Sequence, residues 1–110
     1  MKKMTKEEVL RIAGQLHHQL EIIYGDRLKG VYLYGSYARG DAREDSDIDV
    51  AVVLSGKVVR AAERRRVSGL ASDISLRENC VIVMFFMSEN EKADLPYPIH
   101  RSISRDGIAV

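Results

Sequence analysis

The stretch that decides the fold is GSYARGDAREDSDID, residues 35–49, which joins two apolar segments of the chain. Before it, the β-branched and aromatic residues 28–34 predict a strand, and Gly35 breaks that strand where the chain must turn. At its other end, Asp47 and Asp49 stand two residues apart at the head of a second apolar segment. In a strand both side chains would therefore leave the same face. The stretch predicts a polar loop that connects two strands.

Both ends of this loop carry groups suited to one kind of ligand. Two carboxylates on one face repel each other when ionised, so their placement costs stability unless a cation lies between them. Hard divalent ions such as Mg²⁺ take oxygen ligands of this kind and keep coordination sites for phosphate. At the Gly35 end, the hydroxyl of Ser36 and the N–H groups of a helical turn suit phosphate oxygens, and Arg39 and Gly40 continue that loop.

Each half of this pattern also has an ordinary structural explanation. An Asp-x-Asp pair alone usually marks a solvated strand end, and a Gly-Ser pair alone is usually a turn. Here both lie at strand edges with ten residues between them. The combination favours a phosphate-binding loop beside a metal pair, which is the arrangement that a nucleoside triphosphate requires.

Apolar periodicity predicts the remaining elements. Thr5, with Glu8 three residues later, is typical of a capping box, and the helix that it opens ends at Gly25. The second strand, over 47–54, becomes apolar on both faces, as a central strand does. A helix over 57–77 and a buried strand over 80–87 follow. The order α-β-β-α-β predicts an α/β or α+β fold with helices packed on a small sheet.

The residues expected to face the core lie on both predicted helices. The first helix contributes the stripe Val9, Ile12, Leu16, Leu20 and Ile23, and the second contributes Val59, Ala62, Leu70 and Ile74.

Tyr32 and Tyr34 are expected in the core, whereas Tyr37 is expected to be exposed near the nucleotide. The basic run Arg64 to Arg66, with Lys57 and Arg60, is either a solvated helix face or a phosphate or RNA contact.

Composition narrows the class of protein. The length of 110 residues predicts one domain over 1–110, with its core over about 5–87 and a C-terminal extension over 88–110. The longest apolar run, 80–87, is far shorter than the roughly 18 residues of a membrane span, and the start lacks the apolar core of a signal peptide. A single Cys and a net charge of +1 indicate a cytoplasmic protein without a general attraction to nucleic acid or membranes.

The motif resembles the signature of the DNA polymerase β-like nucleotidyltransferase superfamily. The pair Gly35-Ser36, ten residues, and Asp47-x-Asp49 carry the resemblance, and the opening YGSYARG is similar to that of its minimal nucleotidyltransferases. The resemblance covers roughly residues 5–87 and, more loosely, 88–107. It implies a mixed sheet flanked by helices, a bound nucleoside triphosphate and two Mg²⁺ ions. The implied reaction transfers a nucleoside monophosphate to a hydroxyl group and releases pyrophosphate.

The resemblance also implies roles for individual residues. Gly35 and Ser36 would hold the β- and γ-phosphates, and Asp47 and Asp49 would hold the metals and carry catalysis. Members of the superfamily usually have a third carboxylate on a neighbouring strand, which helps to hold the catalytic metal. Alignment places that position at 78–80, occupied here by Glu78, Asn79 and Cys80. Catalysis is therefore expected to be less secure than nucleotide binding.

Two functions of different classes follow from these expectations. The first is Mg²⁺-dependent transfer of AMP from ATP to a hydroxyl acceptor on a partner protein, with acceptor recognition supplied by that partner or by a second copy of the chain. Some small members of the superfamily pair with HEPN-domain toxins, so the second function is an antitoxin module that neutralises a HEPN toxin by contact. Transfer to a small-molecule hydroxyl is a third alternative.

Overall fold

Helices and strands alternate along most of the chain. The computed structural model describes residues 3–94 and 98–110; of the Pro-Tyr-Pro break predicted at 96–98, the first two residues lie outside this part. The elements are α1 (Lys6–Tyr24), β1 (Leu28–Tyr34), α2 (Ser36–Arg39), β2 (Ile48–Leu54), α3 (Arg60–Glu78), β3 (Ile82–Ser88), α4 (Glu89–Asp94), α5 (Pro98–Asp106) and β4 (Ile108–Ala109).

The strands form one mixed sheet in the order β3-β2-β1-β4. Strand β2 pairs antiparallel with β1 and parallel with β3, while the short β4 pairs antiparallel with β1. A helix-linked parallel pair beside an antiparallel pair is the mixed, helix-flanked sheet that was predicted, so the fold class is confirmed. Strand β4 was not predicted, because two residues are too short to show strand periodicity.

One face of the sheet is covered by α1 and α3. Helix α1 begins with the predicted capping box, in which Glu8 N–H donates to Thr5 Oγ1 at 3.1 Å and Thr5 N–H donates to Glu8 Oε1 at 3.2 Å. The predicted apolar stripe is buried except Ile23, whose exposed fraction is 39 %. Tyr24, four residues after Leu20, takes the inward position instead, because residues four apart share a helix face.

Helix α3 begins three residues later than predicted, and its inner face differs accordingly. Val59 precedes the helix and is 52 % exposed, so its predicted burial is wrong. An acidic residue lies on the inner face: Glu63 is only 4 % exposed and accepts a 2.7 Å hydrogen bond from the hydroxyl of Tyr24. Arg66 lies 3.7 Å from the same carboxylate. The two helices are therefore joined by a buried polar contact as well as by apolar packing.

The opposite face of the sheet is covered over only part of its area. Residues from three strands and from α5 form a second core cluster there, namely Tyr34, Ala51, Val53, Met87 and Ile103. The predicted burial of the whole segment 80–87 is wrong, because Val81 and Val83 are each 42 % exposed. They lie in and before β3, which is an edge strand.

The basic residues of α3 take different positions. Arg60 pairs with Glu91 and its guanidinium lies 4.9 Å from the ring centroid of Phe85, whereas Arg64 and Arg65 are exposed. Within the described residues, none of the helices combines the length and the apolar character needed to cross a membrane.

The Tyr24–Glu63 contact generates a stability prediction. Changing Tyr24 to Phe leaves the buried carboxylate without its hydroxyl donor, so we expect the free energy of unfolding to fall by about 1–3 kcal/mol. The double variant Tyr24→Phe/Glu63→Leu removes the carboxylate as well, so it should regain part of that loss. Urea unfolding of both variants measures the difference. A double variant no more stable than Tyr24→Phe would contradict the assignment.

Candidate active site

The two ends of the motif meet because β1 and β2 are antiparallel neighbours. In their register Tyr34, the last residue of β1, lies opposite Asp49 near the start of β2. Gly35 follows with φ +75° and ψ −155°, a conformation that is essentially restricted to glycine. A Cβ atom added there would lie 2.3 Å from Oδ2 of Asp49. The carboxylate therefore lies directly against the backbone of the turn.

The aspartate pair is placed where its negative charges are unfavourable. Asp47 is exposed just before β2, and Asp49 is half-buried on the strand. Burial raises the pKa of Asp49, and the neighbouring charge of Asp47 raises it further, while Arg39 opposes both effects. Two carboxylates held together in this way are suited to a cation, which would relieve their repulsion.

Helix α2 is a single turn that follows Gly35 directly. The N–H groups of Ala38 and Arg39 donate to the carbonyl of Gly35 at 3.1 and 3.0 Å. The preceding N–H groups, of Ser36 and Tyr37, lie at the start of the turn, where a helix supplies no acceptor of its own. Gly40 ends the turn at φ +85°. The predicted residues Gly35, Ser36 and Gly40 thus lie in one turn that can receive phosphate oxygens.

Arg39 places a positive charge between the motif and the C-terminal helix. Its Nε lies 3.3 Å from Oδ2 of Asp41. The same guanidinium partly offsets the raised pKa of Asp49. The pKa of Asp106 in α5 is lowered mainly by Arg105, and Arg39 adds to that effect. Asp106 could not be predicted near the motif, because no local pattern links the end of α5 to the loop after β1.

Tyr37 was predicted to be exposed near the nucleotide, and the predicted exposure is wrong. Its side chain is buried in the core cluster beneath α1, and its hydroxyl accepts a 3.3 Å hydrogen bond from the N–H of Met4. Tyr37 therefore anchors the motif turn to the chain ahead of α1. A cavity of about 370 Å³ lies beside it, lined by residues from 3–6 and by Tyr37, Gly40 and Ala42.

The three candidates for a third carboxylate position have other contacts at the end of α3 or lie in the core. Glu78 ends α3, where its two carboxylate oxygens accept hydrogen bonds from Arg11 of α1 at 2.9 and 3.1 Å. That contact is the main cause of the lowered pKa of Glu78. Asn79 is the left-handed C-cap of α3, and Cys80 is buried in the core. In the part of the chain that the structure describes, no third Asp, Glu, His or Cys completes a metal-binding group.

Gly35 and Gly56 provide a matched test of this geometry. Both have positive φ, but a Cβ at Gly56 would meet open space. We expect Gly56→Ala to lower the free energy of unfolding by about 1–3 kcal/mol from backbone strain alone. Gly35→Ala should cost more, because the added methyl group also overlaps Asp49. Denaturant unfolding of the two variants makes the comparison, and equal losses would contradict a close Gly35–Asp49 contact.

The raised pKa of Asp49 predicts that removing its charge stabilises the unliganded protein. When the pKa of an acid is higher in the folded state than in the unfolded state, the protein loses stability as the pH rises through the folded-state pKa. Asp49→Asn should therefore melt a few degrees higher than the unchanged chain at pH 7.5 in EDTA, and the difference should shrink towards pH 4. Asp45→Asn, in the exposed loop, serves as the control. A lower melting temperature for Asp49→Asn at pH 7.5 would exclude the proposed charge penalty.

Comparison with known proteins identifies the family of the chain. The family model for polymerase β nucleotidyltransferases matches residues 21–102. A protein of Methanocaldococcus jannaschii, MJ0604, which is named as a candidate protein adenylyltransferase, is 32 % identical over 107 residues, covering 94 % of this chain and 96 % of that protein.

Two solved structures share the fold at low sequence identity. A candidate nucleotidyltransferase from Sulfolobus solfataricus has a TM-score of 0.62 and 23 % identity over 99 % of this chain and 89 % of that one. A toxin–antitoxin crystallised with AMP-PNP has a TM-score of 0.59 and 16 % identity over 96 % of this chain and 72 % of that one. Since the family model spans most of the chain and includes the whole Gly-Ser to Asp-x-Asp motif, the chain belongs to the polymerase β nucleotidyltransferase family.

Proposed function

We propose that the protein transfers AMP from ATP to a hydroxyl group on a partner protein and requires Mg²⁺. The observation that carries this proposal is the contact between the turn at Gly35 and the carboxylate of Asp49, where an added Cβ would lie 2.3 Å from Oδ2. That contact joins a turn suited to phosphate to a carboxylate pair suited to a cation. A nucleoside triphosphate needs both groups at one place.

Two groups of residues would act on the nucleotide, one by holding Mg²⁺ and the other by binding the phosphates. Asp47 and Asp49 would hold Mg²⁺, which when bound offsets the negative charge that develops on the phosphates during transfer. The turn from Gly35 to Gly40 would bind the β- and γ-phosphates through its N–H groups and the Ser36 hydroxyl. Arg39 would exchange its exposed contact with Asp41 for a phosphate oxygen. The acceptor oxygen would then bond to the α-phosphorus while the bond from that phosphorus to the β-phosphate oxygen breaks. The acceptor proton would pass to water, and pyrophosphate would depart.

The choice of AMP and of a protein acceptor draws support from the relatives. MJ0604, similar to this chain over nearly its whole length, is named as a candidate protein adenylyltransferase. One structural neighbour is a toxin–antitoxin with AMP-PNP, and a HEPN-domain toxin is the partner that the motif resemblance implies. These likenesses support ATP as the donor and a protein as the acceptor.

A second candidate function is favoured by the residues beside the aspartate pair. A protein that neutralises its partner by contact alone needs no complete metal site, and the third carboxylate expected by resemblance does not join the pair in the described residues. In that case Asp47→Asn/Asp49→Asn would retain its partner as well as the unchanged chain does, and a pull-down with the tagged protein would show this.

Label transfer distinguishes the two functions. With Mg²⁺ and α-³²P-ATP in a lysate of the source cells, we expect the unchanged chain to label one protein band. Asp49→Asn should reduce that label at least about a hundredfold, because bound metal contributes several kcal/mol to such a transition state. Asp45→Asn, a neutralised carboxylate in the same loop, should leave it unchanged.

The controls assign each result to one function. Equal labelling by Asp49→Asn would overturn the proposed site. If no band is labelled with any of the four nucleotides while the partner is still captured, the contact-only function stands instead. A label found in small molecules rather than in protein would overturn the protein acceptor and keep the transfer chemistry.

A further inference from the structure

The strand beside the aspartate pair presents valines on the face that carries the carboxylates. In the parallel register of β2 and β3, Asp49 lies beside Val83 and Ile48 lies beside Ile82. The N–H of Ile48 donates to the carbonyl of Val81 at 2.9 Å, which is a hydrogen bond of the Ile48–Ile82 pair and places Val81 alongside the start of β2. Registered residues of adjacent strands point to the same face. Val83 is thus the β3 residue beside Asp49, and Val81 lies just before β3.

The burial pattern of β3 confirms which way these valines point. Ile82, Met84 and Phe86 belong to the core cluster under α1 and α3, whereas Phe85 and Met87 belong to the cluster on the opposite face. Val81 and Val83 alternate with the first set and are each 42 % exposed. The open surface beside Asp47 and Asp49 is therefore apolar on its β3 side.

Three acidic groups outside the aspartate pair already have cationic partners. Glu78 forms its two-oxygen contact with Arg11, Asp106 pairs with Arg105 at 3.1 Å, and Asp41 pairs with Arg39 at 3.3 Å. Bringing Glu78 or Asp106 to a second cation would break an ion pair. Within the described residues no third Asp, Glu, His or Cys joins the aspartate pair in a metal-binding group. Divalent cations in two-metal sites lie about 3.5–4 Å apart, and hard cations such as Mg²⁺ prefer oxygen ligands. In the described part of the chain the pair itself offers two carboxylates, with Val81 and Val83 beside them.

From this juxtaposition we infer that the site takes a single divalent cation together with the nucleotide, and that Val81 and Val83 are the residues that exclude a second. The inference rests on the proposed function and makes it more specific, since two Mg²⁺ ions are what resemblance to the superfamily implies. One cation fits Asp47 and Asp49, because Mg²⁺ is commonly bound by one or two carboxylates with phosphate oxygens and water as its remaining ligands.

Manganese counting tests the inference without any turnover. The protein is titrated with Mn²⁺ in the presence of α,β-methylene-ATP, an analogue that cannot release pyrophosphate, and bound Mn²⁺ is counted by EPR against bound analogue. We expect one Mn²⁺ per bound nucleotide and no signal from a spin-coupled pair. Two Mn²⁺ per nucleotide, or a coupled spectrum, would overturn the inference and leave the proposed function in place.

Two substitutions test the role of the valines in the same assay. Val81→Asp and Val83→Asp each add a carboxylate at a partly exposed edge position, and at least one of them should raise the count to two Mn²⁺ per nucleotide. Val81→Asn and Val83→Asn, of similar size without the charge, should keep the count at one. A count of one in all four variants would show that the valines do not set the number of cations.

Failure of the proposed function would give a different result. If the unchanged chain binds no analogue at any Mn²⁺ concentration, the proposed function is overturned and this inference falls with it. If the analogue binds with two Mn²⁺ ions, only the inference is overturned. Melting curves of the four variants, measured beside the counts, show that each count belongs to folded protein.

Discussion

The antiparallel pairing of β1 with β2 is the constraint on which the rest of the site depends. The pairing sets Tyr34 opposite Asp49, so the turn that follows β1 must pass the carboxylate at the start of β2. Glycine is favoured there, because the backbone has φ +75° and an added Cβ would lie 2.3 Å from Asp49 Oδ2. The turn at Gly35 and the carboxylate of Asp49 are thus brought together by hydrogen bonds of the sheet rather than by the loop between them.

The two faces of the sheet differ in how completely helices cover them and in the residues that they carry. The face under α1 and α3 is closed and holds the larger apolar core, with the buried Tyr24–Glu63 contact between the helices. The other face is covered by α4 and α5 over part of its area, and the half-buried Asp49 lies on it. Its carboxylate is less readily ionised than a free one. The apolar packing of the face under α1 and α3 stabilises the fold against the unfavourable burial of the Asp49 carboxylate.

Local patterns were sufficient to place α1, β1, β2, α3 and β3 to within a few residues, whereas α4, α5 and β4 were not predicted. Strand periodicity of two placed Asp47 and Asp49 on one face, and the Thr5 capping box gave the start of α1. The neighbours of the pair could not be predicted in this way, because strand register depends on how α3, which connects β2 to β3, packs on the sheet and not on residues near the motif. In the observed register of β2 and β3, Val83 lies beside Asp49, whereas a residue of the segment 78–80 was expected there. Tyr37 was misplaced for a related reason, since the chain ahead of α1 covers it.

The overlap at Gly35 has a consequence for genetics. The three atoms nearest to an added methyl group all belong to one side chain, that of Asp49. A second mutation that makes room for alanine at position 35 would have to shorten that side chain, and on the proposed function this removes a metal ligand. Selection for restored transfer in a Gly35→Ala strain should therefore return the original codon far more often than a compensating change. A change at position 35 is thus tied to a change at position 49, although Gly35 follows β1 and Asp49 lies on β2.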